Sequence, residues 1–341
     1  MRQDFVEYVK NHIKDYLPED YHDAKIILEK VTKGNDRILT GLTICKAGEQ
    51  VTQTFYLEPY DFQHKNGRPL DSILQEIASI KMENSGPLPF DVEKLNDYEA
   101  IKSMLAIRLC DPEKNQEYLK DKPYTMCGDL AATYRVHLFD SSEGIASVVI
   151  TNQMLEVWKI ALEELSRDAV TAENEREPIC FYTMADQMSE IRFATKPTNL
   201  FDRSEPLSMN FSPMYVLTNQ SKTNGAGVLA RDGVLDKIGE LIGSDYYILP
   251  SSLHKLLIIP DDGNIQIKEL ENMVREVNAT EVAPEDFLSD KVQYYDRETK
   301  TLGRKQEKGL LNRLSDNKIK VQEKETVQPD KKHPTRLEPS L

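Results

Sequence analysis

The sequence predicts an α+β protein with antiparallel or mixed sheets built from ββα units that place their helices on one face. Two strand-like runs followed by an amphipathic helix recur three times between residues 129 and 278. Residues 1–85 show a different order, a helix, three short strands and a helix, which predicts a small N-terminal unit. The residues from 303 onward lack a sustained apolar pattern and predict a disordered tail.

Residues 1–85 are predicted to be a domain of their own. Apolar residues recur at helical spacing in the first segment up to Pro18, which ends the helix. The runs "AKIILEKVT", "RILTGLTIC" and "VTQTFYL" follow as strands of a meander, separated by the turn sequences "KGND" and "KAGEQ". A second helix is expected to start near Asp71 or Ser72. The Gly- and Pro-containing stretch 83–91 then predicts a domain boundary.

Residues 86–302 are predicted to form the ββα body. "DLAATYRVHLF" and "GIASVVIT" flank the turn "DSSEG" as a hairpin, and one helix is expected to follow it. Residues 174–213 contain four prolines and no sustained periodicity, which predicts a long irregular connection. "MYVLTN" and "GAGVLA" form the second predicted hairpin, and "YYILP" and "KLLIIP" the third, each followed by a helix. One mixed sheet with helices on one face would bury these units.

The charge of the chain is strongly acidic but unevenly distributed. The net charge is −14, yet residues 303–341 hold ten Lys and Arg against six Asp and Glu, which leaves −18 on the rest. An acidic body repels phosphate backbones, so the sequence excludes nucleic-acid binding through the body. Only the basic tail 303–341 is left for a weak contact with nucleic acid. Its apolar residues are too few to offset the entropy of ordering it.

No feature of the sequence points to a membrane or to export. No apolar run approaches the roughly 18 residues that span a bilayer. The N-terminal stretch "MRQDFVEYVKNHIKDYLPED" mixes charge throughout, so a cytoplasmic location without a membrane partner is expected. The cysteines form no C-x-x-C pair and the histidines have no ligand spacing, which predicts free thiols and no metal site. The cysteines are Cys45, Cys110, Cys127 and Cys180.

The segment "SDYYILPSSLHKLLIIP" contains the candidate catalytic residues Ser251, Ser252 and His254. In an extended chain Ser252 and His254 share a face with their Cβ atoms roughly 6–7 Å apart. A nucleophile–base pair needs about 2.6–3.2 Å between the bonded heavy atoms, and no orienting acid stands at a recognisable spacing. We therefore predict that both serines cap a turn between two antiparallel strands, with neither hydroxyl bonded to the His254 ring. A serine-type hydrolase is the alternative.

Two asparagines are the candidate ligand-binding residues. Asn152 and Asn219 each follow an apolar strand in the dipeptide "TN", a place where an asparagine side chain ordinarily closes a turn. The alternative is that the two amides line one groove. "GAGVLA" matches the dinucleotide pattern G-x-G-x-x-G/A, but that mechanism needs a helix opening directly on the glycines. "VLA" looks like strand instead, so no cofactor is predicted.

Several long motifs carry a resemblance to one bacterial family. "CGDLAATYRVHLF", "ITNQMLEVW" and "GVLDKIGELIGSDYYILPSSLHKLLIIPDDG" resemble the family called domain of unknown function 5688, over residues 1–302. The resemblance implies a protein of anaerobic gut bacteria, often encoded on mobile elements, and implies no biochemistry. The family has histidine where this chain has Tyr124 and Met154, and an acidic residue where it has Lys255. If those positions form an acid–base or metal site, this chain has lost it.

These observations favour a cytoplasmic, non-enzymatic binding or regulatory accessory protein of a mobile genetic element, acting on a protein partner that the sequence does not identify. The alternative enzyme would use Ser251 or Ser252 as nucleophile and His254 as base. Convergence of Ser252, His254, Asn152 and Asn219 on one cleft would indicate a ligand site. Dispersal of these four residues would indicate packing and turn roles.

Overall fold

The computed structural model describes residues 3–49, 53–86, 90–141, 144–208 and 211–305. Residues up to Gly303 form one compact unit, and residues from Arg304 form a second, of which only the first two are described. The predicted disorder of the tail therefore falls on residues that lie outside the description.

The α+β class is confirmed, with helices and strands that alternate along most of the chain. The helices are α1 Gln3–His12, α2 Leu57–Lys65, α3 Leu70–Glu83, α4 Tyr98–Ile101, α5 Gln116–Leu119, α6 Asn152–Trp158, α7 Leu162–Arg176, α8 Met184–Phe193, α9 Val234–Ile242 and α10 Ile267–Thr280. The strands are β1 Lys25–Thr32, β2 Ile38–Cys45, β3 Thr54–Tyr56, β4 Leu105–Cys110, β5 Tyr124–Cys127, β6 Leu130–Ser141, β7 Gly144–Val149, β8 Ile179–Thr183, β9 Tyr215–Asn219, β10 Tyr246–Ser252, β11 Lys255–Pro260, β12 Gln293–Asp296 and β13 Thr301–Gly303. Within the described ranges, no helix has the length and apolar character needed to cross a membrane.

The N-terminal segment has the predicted helix and three-stranded meander, but two helices, α2 and α3, follow the meander where one was predicted. Strands β1, β2 and β3 pair antiparallel in sequence order. One core cluster joins the apolar faces of α1, α3 and this sheet, with Val9, Leu42 and Ile77 at its centre. Helix α3 begins at Leu70 after Pro69, so the expected cap at Asp71 or Ser72 was wrong. The fixed φ of proline suits the entry to a helix equally well.

The body contains two antiparallel sheets where the sequence predicted one mixed sheet. The six-stranded sheet has the order β13-β12-β10-β11-β9-β8, and the four-stranded sheet has β6 between β4 on one side and β5 and β7 on the other. All pairs between described strands are antiparallel. Strand β6 is long enough to hold two partners, β5 and β7, end to end along a single edge.

Both faces of the six-stranded sheet are covered, which differs from the predicted single helical face. Alternate residues of a strand point to opposite faces. On β10, Tyr246 and Ile248 enter the main core with α7 and α9, whereas Tyr247 and Leu249 pack in a second cluster with α10. All four side chains are fully buried. A near-continuous apolar run such as "YYILP" is the expected sequence of a strand that is buried on both faces.

The predicted strand "GAGVLA" is instead a 3₁₀ helix, Gly225–Ala230. The predicted partner of this segment was β9, but β9 is paired with β8 along one edge and with β11 along the other. No edge of β9 is left for residues 225–230. They pack against the end of β9 and against β4 instead.

Residues 174–213 are more regular than the predicted irregular connection. They contain strand β8 and helix α8, and β8 completes the six-stranded sheet. The outer edge of β8 is closed by Asn199, whose side-chain oxygen accepts from the Phe181 N–H at 2.9 Å and whose amide donates to the Ile179 carbonyl. The irregular part that follows α8 therefore covers an edge strand. The single helix expected over residues 155–165 is likewise divided into α6 and α7 by Lys159, which adopts left-handed backbone angles.

The turn between β1 and β2 contacts the body directly. The Asn35 N–H donates to the Asn115 side chain at 2.6 Å, and the Asn35 amide donates to the carbonyls of Pro284 and Phe287. The Asp36 carboxylate accepts from two backbone N–H groups at the start of α5. Residues 1–85 thus have their own sheet and core cluster but are joined to the body by this turn. Their independence as a domain stays a prediction.

A buried ion pair joins α7 to the segment that follows the 3₁₀ helix. The Arg231 guanidinium lies 2.6 Å from a Glu173 oxygen, and the two side chains are 1% and 7% exposed. The other Glu173 oxygen accepts from the Ile107 N–H on β4. Arg231 also donates to the Glu177 carbonyl. This pair therefore connects a helix, an outer strand and a turn inside the core.

Replacement of Glu173 by Gln should destabilise the protein strongly. The substitution leaves the Arg231 charge buried without a carboxylate, which costs about 3–5 kcal/mol in comparable sites. Urea denaturation of the purified variant measures the change in the free energy of unfolding.

Lys120→Gln is the matched control, because Lys120 and Glu117 form an ion pair with both side chains well exposed. Its loss should change the free energy of unfolding by less than about 0.5 kcal/mol. Equal effects of Glu173→Gln and Lys120→Gln would contradict the central role of the buried pair.

Candidate functional site

The turn between β10 and β11 brings the Ser252 hydroxyl next to the backbone of His254. Ser252 pairs with Lys255 across the turn, and its hydroxyl oxygen accepts from the His254 backbone N–H at 3.1 Å. Ser252 is buried, and among the hydrogen bonds of the described residues none joins its hydroxyl to the His254 ring. The Ser252 hydroxyl thus has the geometry of a turn cap. The side chain of Ser251 lies outside the described part of the structure.

Both ring nitrogens of His254 have partners. The Asn224 backbone N–H lies 3.3 Å from Nδ1, and Nε2 lies 3.0 Å from a carboxylate oxygen of Asp286. A nitrogen that accepts a hydrogen bond carries no proton, so this network assigns the proton of the neutral ring to Nε2, which donates to Asp286. The structure therefore supplies an orienting acid that the sequence did not indicate. It leaves no free lone pair on the ring to accept a proton from a nucleophile.

Gly225 lets the 3₁₀ helix approach the His254 turn closely. The Thr218 hydroxyl donates to the His254 carbonyl at 2.7 Å. A Cβ atom at Gly225 would lie 2.0 Å from the Thr218 hydroxyl oxygen and 2.5 Å from the His254 carbonyl oxygen. Any side chain at this position would thus displace the backbone that orients His254. Close backbone packing explains the first glycine of "GAGVLA".

His254 and Asp286 border a groove of about 500 Å³. Its lining combines both signs of charge, hydrogen-bonding groups and an apolar wall, and its polar members include Tyr182, Gln187, Lys222, Lys255 and Glu281. Lys222 pairs with Glu190, and the Tyr182 hydroxyl donates to the Gln187 side chain at 2.9 Å. Such a lining suits binding and orientation of a ligand. We refer to it as the His254 groove.

The asparagine candidates do not converge on this groove. Asn219 is buried at the end of β9, and its amide donates to the Thr223 carbonyl at 2.9 Å, which closes a local turn. Its side-chain oxygen is buried and has no hydrogen-bond partner among the described residues, and Asn219 lines a separate cavity of about 30 Å³. Asn152 is the exposed first residue of α6, outside the His254 groove. The structure brings together Ser252 and His254 but neither asparagine.

The positions at which the family resemblance implied histidines lie apart from the His254 groove. Tyr124 is exposed on β5, and Met154 lies on α6 against the main core. Lys255, at the position of the family's acidic residue, does line the groove. A site that uses all three positions together with His254 is thus not assembled here. Among the described residues, no group of three or more His, Cys, Asp or Glu side chains is placed to hold a metal ion.

A second pocket, of about 290 Å³, was missed by the sequence reasoning. It is lined by four cationic side chains, Lys33, Arg108, Lys122 and Arg135. These residues have no shared spacing in the sequence, and they meet because the β1–β2 turn approaches one face of the four-stranded sheet. The register of β4 against β6 is the signal that would have located them. We refer to it as the basic pocket.

Two of the cysteines, Cys110 and Cys127, are not activated as nucleophiles. All four thiols are free. Burial raises the pKa of Cys110 and of Cys127 to about 12, and the Cys127 thiol donates to the Leu229 carbonyl at 3.2 Å. A thiol with such a pKa holds almost no thiolate at neutral pH, and the thiolate is the nucleophilic form.

Cys110 and Cys127 should therefore resist alkylation in the native protein. Treatment with iodoacetamide at pH 8, followed by peptide mass spectrometry, should leave both residues unmodified, because their pKa values lie far above that pH. The same treatment in denaturant should modify all four cysteines. Rapid native modification of either residue, with the fold intact by circular dichroism, would contradict the burial described here.

Comparison with known proteins identifies the family. The family model with the description "Family of unknown function (DUF5688)" matches residues 2–297. No curated protein and no solved structure matches the chain. The match covers the N-terminal meander, the four-stranded sheet, the six-stranded sheet except β13, and the His254 turn. The chain therefore belongs to the DUF5688 family of unknown function.

Proposed function

We propose that this protein acts by binding a protein partner rather than by catalysis, as a regulatory accessory of a mobile genetic element. The observation that carries the proposal is that both nitrogens of the His254 ring already have partners, the Asn224 N–H at Nδ1 and the Asp286 carboxylate at Nε2. The link to mobile elements rests on the family resemblance alone.

The geometry at Ser252 and His254 disfavours the hydrolase alternative. A serine nucleophile needs its hydroxyl within hydrogen-bond reach of a base that has a free lone pair. The Ser252 hydroxyl accepts from the backbone N–H of His254, and the ring nitrogen that lacks a proton accepts from Asn224. Catalysis at Ser252 would require both hydrogen bonds to break. If Asp286 and His254 serve only to orient the backbone turn, neither hydrogen bond has to break.

Exposed apolar side chains beside the His254 groove support a protein partner. Helix α8 contributes Met184 and Gln187 to the groove. The same helix presents Ile191, which is 66% exposed, and Phe193, which is 73% exposed. Large exposed apolar groups bordered by polar residues are typical of sites of protein contact. The proposed partner therefore contacts α8 and places polar groups in the groove.

Active-site labelling separates binding from hydrolysis. A fluorophosphonate reagent should leave the native protein unlabelled at Ser252, because that hydroxyl is buried and is not activated by His254. Mass spectrometry after incubation measures the modification, with a known serine hydrolase as the positive control. Labelling of the wild type that disappears in Ser251→Ala or in Ser252→Ala would establish the hydrolase alternative and contradict the proposal.

Substitution of the exposed apolar residues of α8 tests the partner. In affinity purification from the source cells, Ile191→Ser with Phe193→Ser should lose a protein that the wild type retains, because the apolar contact is removed. Phe62→Ser is the matched control, since Phe62 is 69% exposed on α2, in the N-terminal segment. Retention of the same proteins by all three forms would contradict α8 as the contact.

A further inference from the structure

The basic pocket lies between the β1–β2 turn and the outward face of the four-stranded sheet. Alternate residues of β4 and β6 enter the main core, among them Ile107 and Tyr134. The intervening residues point to the other face, where Arg108 and Arg135 line the pocket. Lys33 reaches it from the turn. The pocket is therefore built by residues from both parts of the compact unit.

The two arginines are neighbours on this face. Arg108 lies directly opposite Thr133 in the β4–β6 register, and Arg135 is two residues farther along β6. Diagonal neighbours of this kind have Cβ atoms roughly 7–8 Å apart, which long side chains readily bridge. Burial lowers the pKa of Arg135, Tyr118 opposes that change and the nearby charge of Arg108 adds to it. Two like charges thus stand close together in a partly buried place.

These cations lack the partner that the protein gives to its most buried arginine. Arg231 is paired with Glu173, whereas within the described residues no carboxylate lies within ion-pair distance of Lys33, Arg108 or Arg135. Arg135 donates through Nε to the Ser147 hydroxyl at 2.9 Å, and its guanidinium also hydrogen-bonds the Tyr118 side chain, which lines the same pocket. A charge held away from water without a partner is unfavourable.

The acidic surroundings do not neutralise the pocket. Glu285 is the carboxylate among its lining residues, and it pairs with Arg37 at 3.2 Å. Lys122 pairs with the adjacent Asp121 at 2.6 Å, so its charge is already compensated. The Lys33 ammonium lies over the Tyr56 ring at 4.6 Å from its centre, and Arg108 donates to the Glu285 carbonyl at 3.4 Å. The Arg108 and Arg135 charges are therefore left without a carboxylate partner among the described residues of a protein whose net charge is −14. A bound anion would supply the missing compensation.

We infer that the basic pocket binds a small organic phosphate. The two guanidinium groups match the several oxygens of a phosphate, because arginine bonds phosphate in a bidentate manner. Leu253, Phe287 and Val149 line the same cavity and offer apolar contact to the organic part. A volume of about 290 Å³ is at the lower end for ligand pockets, which favours a compact ligand over a polymer.

This inference goes beyond the proposed function, because it assigns a ligand class to a second place on the molecule. The labelling test at Ser252 and the binding test below are independent of each other. Failure of phosphate binding would remove the inference and leave the proposed function untouched. Labelling of Ser252 would overturn the proposed function without any effect on the pocket.

Isothermal titration calorimetry with the full chain tests the inference. Glycerol 3-phosphate and pyrophosphate should each bind, with an affinity that falls as the salt concentration rises, whereas glycerol should not bind. Arg108→Gln and Arg135→Gln should each weaken binding roughly tenfold or more, as expected for the loss of hydrogen bonds to a charged group. Arg192→Gln is the matched control, because Arg192 is exposed on α8 and makes the same change of charge.

The melting temperature distinguishes a ligand-binding arginine from a structural one. Without phosphate, Arg135→Gln should melt at the same temperature as the wild type or higher, since it removes a partly buried charge that lacks a carboxylate. Pyrophosphate should raise the melting temperature of the wild type but not of this variant. Lys33→Gln, on the turn, gives a second test and should also weaken binding.

Two results would overturn the inference. One is the absence of any heat of binding for both phosphates with folded wild-type protein. The other is binding that Arg108→Gln, Arg135→Gln and Lys33→Gln leave as tight as in Arg192→Gln, which would place the phosphate elsewhere. Binding that is lost in the three pocket variants and kept in the control supports it.

Discussion

A single buried carboxylate, that of Glu173, limits how the parts of the body can be arranged. It accepts from Arg231 and from the Ile107 N–H on the outer edge of β4. The Arg176 guanidinium, one turn along α7, donates to the Leu105 carbonyl on the same edge at 2.8 Å. Side chains of one helix thus close a strand edge that would otherwise be open to pairing with another chain. Through Arg231 they also fix the segment after the 3₁₀ helix.

The orientation of His254 follows from that arrangement. Arg231 holds the end of the 3₁₀ helix, and Gly225 at its start lies against the His254 carbonyl. The residue before Gly225 is Asn224, whose N–H meets the ring. The ring is therefore positioned by backbone on one side and by Asp286 on the other. The basic pocket has the opposite character, because its arginines project from the four-stranded sheet and no carboxylate of the described residues forms an ion pair with them.

Local sequence patterns predicted most of the strands. Which residues line the His254 groove and the basic pocket depends instead on contacts between segments that are distant in the sequence. The apolar runs of β2, β10 and β11 were sufficient because burial on a sheet leaves a direct mark on sequence. "GAGVLA" was assigned wrongly because occupation of both edges of β9 cannot be read from the segment itself. Asp286 is remote from His254 in the chain. Arg108 and Arg135 become neighbours only through the register of β4 against β6, which no spacing within either strand reveals.

The turn between β1 and β2 has a consequence for how this protein can change over evolutionary time. Asn35 adopts left-handed backbone angles, with φ of 60°, a conformation that asparagine tolerates better than most residues. Its backbone N–H and its side-chain oxygen both bond to the Asn115 amide. Replacement of either residue leaves a polar group of the other without its hydrogen-bond partner, where the turn contacts the body. Homologues that differ at one of these two positions are thus expected to differ at the other as well, so that positions 35 and 115 covary.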